Sequence, residues 1–241
     1  MSGEKHLLSL LRAAIDRYDM IPEPGRRIAV GVSGGKDSAA LLVLLARLRR
    51  FYPRPFSLTA ITLDPCFNGQ PADYSAVEVL CEQLEVPYLL RRTDLWEIVF
   101  QKRRESNPCS LCARLRRGML HRLAAEAGCD TVALGHHRED AAETFLMNLL
   151  SGGTLDCFKP VTVLDRRHIR LIRPLIFMPE AEIAAYVRKS GLPVVKSRCP
   201  VDGCTNRKRT RELLDELSRQ YGCMEDKILS AMQKAGLSGW Q

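Results

Sequence analysis

The chain has 241 residues, 46% of them hydrophobic and 27% charged, a composition that suits a folded globular protein and excludes disorder as its main theme. Its 36 Lys+Arg against 28 Asp+Glu leave a net charge of +8, which favours an anionic partner, nucleic acid first among them. The longest apolar run, 39–46, is too short to span a bilayer, and the N-terminus lacks the basic start and apolar stretch of a signal peptide; the expectation is a soluble, cytoplasmic protein with no membrane partner.

Leu7, Leu8, Leu11, Ala14, Ile15 and Tyr18 fall at helical spacing and predict an N-terminal helix that ends before Pro22 and Pro24. Short β-branched runs then alternate with helical patterns. Strands are predicted over 27–32, 57–63, 86–90 and 131–134, and helices over 38–48, 73–84, 111–127 and 139–150. Such alternation is the signature of a doubly wound, mostly parallel α/β sheet with helices on both faces. Beyond Gly153 the rhythm changes: 160–176 reads as one or two strands, 179–189 as a helix opened by proline, and 210–221 as a further helix. The expected organisation is an N-terminal helix (1–25), a main α/β domain (26–195), and a C-terminal cysteine-containing loop and helical tail packed on that domain (196–241).

The first strand-to-helix junction reads Ser33-Gly34-Gly35-Lys36-Asp37-Ser38. In an open parallel sheet, ligands bind at the carboxyl ends of strands, where helix N-termini offer free N–H groups to anions. Gly34 and Gly35 let backbone close around a phosphate, Ser33 and Ser38 supply hydroxyls, and Lys36 supplies charge. A Walker loop is excluded, because Val30 stands where its first glycine belongs and Asp37 replaces its Ser/Thr. The dinucleotide fingerprint is absent too.

Nine cysteines in a chain without an export signal argue for metal binding, thiol chemistry or burial rather than a disulfide framework. Cys109 and Cys112 form a Cys-x2-Cys at a helix start, where the helix dipole favours thiolate, and Cys199 and Cys204 lie far along the chain. Four thiolates suit a structural zinc; a Cys-x2-Cys alone could be a redox dithiol; three thiolates could hold a [4Fe–4S] cluster with one iron open. Cys66, Cys81, Cys129, Cys157 and Cys223 are expected to be buried small hydrophobes.

The Ser33–Ser38 hexapeptide resembles the PP-loop of the N-type ATP pyrophosphatases. Three further stretches narrow the resemblance: Pro108-Cys-Ser-Leu-Cys-Ala-Arg-Leu-Arg-Arg-Gly118, Ala133-Leu-Gly-His-His-Arg-Glu-Asp140 and Arg173-Pro174-Leu175. Together with the hexapeptide they look like the tRNA 2-thiocytidine synthetase family, from about Arg26 to the C-terminal helices. The resemblance implies an ATP-dependent tRNA sulfurtransferase in which Ser33–Ser38 bind ATP with Mg²⁺ and the C2 oxygen of a tRNA base, cytidine in that family, is adenylated. It implies that Cys109, Cys112 and one later cysteine, Cys199 rather than its rival Cys204, hold a [4Fe–4S] cluster whose open iron carries the sulfur. It further implies a sulfur donor such as a cysteine desulfurase, and a homodimer is compatible with it.

In the Gly135-His136-His137-Arg138-Glu139-Asp140 segment, Gly135 is expected to let a nucleotide approach the backbone, and Asp140 to meet Mg²⁺ or orient phosphates. Asp64, ending the second strand, either helps bind nucleotide or starts a turn. Arg103 and Arg104, Arg114, Arg116 and Arg117, and Arg207, Lys208, Arg209 and Arg211 flank the cysteines, where a tRNA backbone needs positive charge. The competing reading is a PP-loop adenylating ligase whose cysteines hold structural zinc. A nucleotide-sensing tRNA binder without catalysis is a third.

Overall fold

The computed structural model describes residues 2–103, 108–164, 169–196, 198–199, 206–237 and 239–241. In chain order the elements are α1 (Ser2–Arg17), β1 (Arg26–Gly31), α2 (Lys36–Leu48), β2 (Phe56–Asp64), a 3-10 turn (Phe67–Gly69), α3 (Ser75–Gln83), β3 (Tyr88–Arg92) and a π-helix (Glu97–Arg103). There follow α4 (Pro108–Glu126), β4 (Thr131–Ala133), α5 (Arg138–Gly152), β5 (Val161–Leu164), β6 (Ile169–Ile172), α6 (Glu180–Lys189), α7 (Asn206–Tyr221) and α8 (Met224–Lys234).

The strands form a six-stranded sheet in the order β3-β2-β1-β4-β6-β5. All neighbours run parallel except β5, which pairs antiparallel with β6, so the α/β doubly wound fold is as expected and 160–176 resolves into a hairpin. The chain winds outward from β1 through β2 to β3, then returns to β4 on the other side of β1. That reversal creates a crevice at the carboxyl ends of β1 and β4, the usual ligand position in such sheets.

Side-chain alternation along each strand divides the core between the two faces of the sheet. Ile28, Val30, Leu58 and Ala60 face the larger cluster with α1, α2, α6 and α8, whereas Ala29, Ile61, Leu63 and Val132 face the smaller one with Leu120 and Leu123 of α4. Leu7, Leu11, Ala14 and Ile15 bury one stripe of α1 against that larger cluster, and Leu214, Ile228 and Trp240 bring the C-terminal segments to it. Helix α2 is buried nearly all round, as its uninterrupted apolar run requires.

Two elements differ from the sequence expectation. The π-helix was not foreseen, because its i→i+5 pattern matches neither helical nor strand periodicity and its first residues, Glu97 to Phe100, mix apolar and charged positions. Helix α8 divides what read as a single tail; Gly222, at φ +77°, ends α7 and lets the chain turn back. Among the described residues, no helix is long and apolar enough to cross a membrane.

A candidate nucleotide cleft

Strand β1 is the centre of the sheet, and its exit delivers Ser33–Gly35 into the crevice. Helix α2 starts there with Gly35 as its cap and no side chain closing it, so its first N–H groups face the opening, as at any uncapped helix start. The loop is tied by its own hydroxyls: Ser38 Oγ donates to the Gly35 carbonyl (2.8 Å) and accepts from Ser33 N (3.2 Å), while Gly35 N donates to Ser33 Oγ (3.3 Å).

Gly34 sits at φ +87°, and a Cβ there would fall 2.8 Å from Val195 Cβ. The close approach is used, because Val195 N donates to the Gly34 carbonyl at 2.8 Å and holds Val195 against the loop. Gly135 has a related reason. A Cβ there would meet the Asp37 and Ser38 backbone at 3.2–3.3 Å, so its nearest neighbour is the first loop itself rather than the open space expected for a nucleotide.

Lys36 Nζ lies 2.9 Å from Asp37 and 2.8 Å from Glu180 Oε1. Burial pulls this ammonium down, but the two carboxylates outweigh it and hold it above its ordinary value. From Glu180 an ion-pair network runs to Arg211 (3.4 Å), to the buried Glu143 (2.7 Å), to Arg207 (3.2 Å) and to Asp140 (3.2 Å). Asp140 Oδ2 also accepts from His137 N at 3.1 Å, capping α5. Each of its oxygens thus already has a protein partner, Arg207 at Oδ1 and the His137 N–H at Oδ2. Arg207 and Arg211 belong to this network instead of lying free for RNA, whereas Lys208 and Arg209 are exposed. Glu139 stays acidic to about 2: burial would raise it, and His137 and Arg138 more than offset that.

Asp64 is buried and closes a turn, accepting from Cys66 N and Ala72 N at 2.9 Å each. It also helps line an open cleft of about 200 Å³ with Ser33, Gly35, Tyr74, Arg116 and Arg198, directly beside the phosphate loop.

Cys109 is exposed and Cys112 half-buried in the first turns of α4; Cys199 is half-buried directly after Arg198. Burial raises the Cys112 thiol, Arg116 lowers it, and Cys199 and Cys109 raise it again. Cys112 thus lies within electrostatic reach of both Cys109 and Cys199, and its burial outweighs the pull of Arg116. Cys204 and Arg104 lie outside the described residues. Among the described residues, no three His, Cys, Asp or Glu side chains converge on one metal ion. Cys81, Cys129 and Cys157 are buried as expected, but Cys66 is only half-buried, and Cys223 is exposed where it caps α8.

Sequence reasoning missed Glu143 and Glu180. Each reads as an ordinary surface helix position, and only the packing of α5 and α6 beside the loop turns them inward. Val195 had no signal beyond its place in a strand-like Val-Val pair.

Residues 7–217 match the PP-loop domain family. The chain is 40% identical over 222 residues to the tRNA-cytidine(32) 2-sulfurtransferase of Citrifermentans bemidjiense, covering 91% of this chain and 86% of the relative. It is 42% identical over 222 residues to that of Pelobacter propionicus, covering 91% and 81% respectively. Among solved structures, the U34-tRNA thiolase NcsA from Methanococcus maripaludis with its [4Fe-4S] cluster shares the fold, with a TM-score of 0.78 at 24% identity over 96% of this chain and 78% of that chain. A PP-loop at the sheet's reversal point and this degree of likeness lead to one conclusion: the chain belongs to the PP-loop family of the tRNA-cytidine(32) 2-sulfurtransferases.

Proposed function

We infer that this chain is an ATP-dependent tRNA sulfurtransferase that replaces the C2 oxygen of a cytidine with sulfur. One observation carries the reading: Arg116 lines the cleft beside the phosphate loop and also acts on the Cys112 thiol, so a single cation joins the cleft to the cysteine-bearing turn of α4. Activation must precede exchange, because a base oxygen is a poor leaving group until it becomes a phosphate ester.

The uncapped start of α2, Ser33, Ser38 and Lys36 hold the phosphates of ATP. Lys36 then trades a carboxylate partner for phosphate, leaving Glu180 to Arg211. The C2 oxygen attacks the α-phosphorus, the bond to pyrophosphate breaks, and charge develops on the leaving group beside Lys36 and the α2 N-terminus. A sulfide equivalent from the sulfur donor then bonds C2, and AMP departs with the oxygen. Mg²⁺ enters with the nucleotide.

Cys109, Cys112 and Cys199 fit a [4Fe–4S] cluster as donors. Three neighbouring half-buried or exposed thiols repel one another when ionised, and bound iron supplies the positive charge that holds them as thiolates. Such a cluster, when bound, offers an open iron at which sulfur can be held. Cys112 sets the inner edge of the site, and Arg116 keeps the approach cationic for RNA.

The test is iron, sulfide and zinc content of protein prepared without oxygen, alongside tRNA thiolation. Iron and sulfide in about equal amounts, lost in Cys112→Ala together with thiolation while tRNA-dependent pyrophosphate release survives, is the expected result. Stoichiometric zinc without sulfide would overturn it and favour the adenylating ligase.

A further inference from the structure

On the far side of β4 from the nucleotide cleft lies a buried cation that the reaction above does not use. Arg173 follows β6 directly and is only 8% exposed. Its Nη1 donates to the Lys159 carbonyl and its Cζ lies 4.9 Å from the Phe158 ring centroid. Its Nε is buried without a hydrogen-bond partner, and among the described residues no carboxylate pairs with it. His136 packs on the same Phe158 ring, centroids 5.0 Å apart, and its Nδ1 is likewise buried and unpartnered. The nearby exposed charge is Arg117, itself a cation.

A guanidinium withdrawn from water with an unsatisfied N–H, and with the cation Arg117 as a charged neighbour, is costly in the isolated protein. The cost is offset when an anion arrives. We propose that Arg173, His136 and Arg117 form a seat for a backbone phosphate of the substrate tRNA, next to the nucleotide turned into the cleft. The inference rests on the tRNA reading given above.

Position argues for RNA rather than ATP. The nucleotide cleft, with Asp64 and Tyr74, lies toward β1 and β2, whereas Arg173 ends β6 across β4. Exposed Lys159 and Arg117 continue the positive charge outward, which suits a polyanion better than one terminal phosphate. Phosphate contacts set the register of a nucleic acid on its enzyme, and a seat across β4 from the catalytic cleft would fix where the strand enters it. The electrostatics agree: burial, then Arg173, lowers His136 to about 4, and burial, then Arg117, lowers Arg173 to about 10. Asp140, Arg207 and His137 also act on His136, and only Asp140 opposes the shift.

The test measures tRNA and ATP-analogue affinities of the full chain across a salt series, for wild type, Arg173→Gln and Arg117→Ala, with melting curves on each. Arg173→Gln should weaken tRNA roughly tenfold and reduce the salt slope by about one, with the ATP analogue unaffected. Arg117→Ala changes an exposed side chain and should lower the same slope without a change in melting. If wild type binds no tRNA, the sulfurtransferase reading itself fails. If wild type binds and both variants keep its slope, the seat is overturned. Loss of ATP-analogue affinity in place of tRNA affinity would overturn the assignment to RNA.

Discussion

Two strand-to-helix junctions meet at the sheet's reversal point, and they treat the same physical problem in opposite ways. The β1–α2 junction ends in an uncapped helix start, with hydroxyls and Lys36 around open N–H groups. The β4–α5 junction fills its helix start with its own acids: Asp140 accepts the His137 N–H, and Glu139 accepts the Glu180 N–H at 2.9 Å and pairs with His137 at 3.1 Å. A helix N-terminus attracts an anion either way. In the first junction the anion must come from a ligand; in the second it is part of the chain.

Three experiments would break or sharpen that contrast. The largest effect is expected at the open junction. Lys36→Met should slow tRNA-dependent pyrophosphate release roughly 100-fold or more, read by a phosphate-coupled assay; a change of only a few-fold would mean that the loop does not bear the developing charge.

Acid should act on the filled junction. Glu139 has a folded value of about 2 against an ordinary 4.5, so its contribution is complete above that ordinary value and fades as pH falls toward 2. About 2 kcal/mol should be gone by about pH 3. In denaturant melts, the gap between wild type and Glu139→Gln should narrow by that amount on acidification; a constant gap would sink the assignment.

The smallest effect is expected for Asp140→Asn, about 1 kcal/mol of stability from a weakened cap and ion pair. ATP affinity should stay near wild type in an analogue titration. A collapse of nucleotide binding would return Asp140 to the metal-binding role that its sequence context first suggested.

Apart from the π-helix, the main helices and strands of the first 150 residues were legible because hydrophobic period and turn residues act locally. Gly34 was legible for a related reason: a phosphate-binding turn demands a residue without Cβ. Its second constraint, the contact with Val195, was not, since it depends on how α6 returns the chain across the loop. The cysteines and their neighbouring arginines were legible as a set, Arg116 lying one helical turn from Cys112, yet the approach of Cys199 to Cys112 and of Arg116 to the cleft depends on how α4 packs on the sheet.

The sequence by itself determined the alternating α/β order, the phosphate loop and the supply of thiols and basic side chains, all properties of short stretches and their chemistry. Tertiary structure decided which charges are spent. Arg207 and Arg211 are neutralised by Glu143 and Glu180, Asp140 becomes a cap, and Arg173 is left buried without a counter-ion among the described residues. Charge pairing depends on distance and burial between segments far apart in the chain, and no local pattern encodes either.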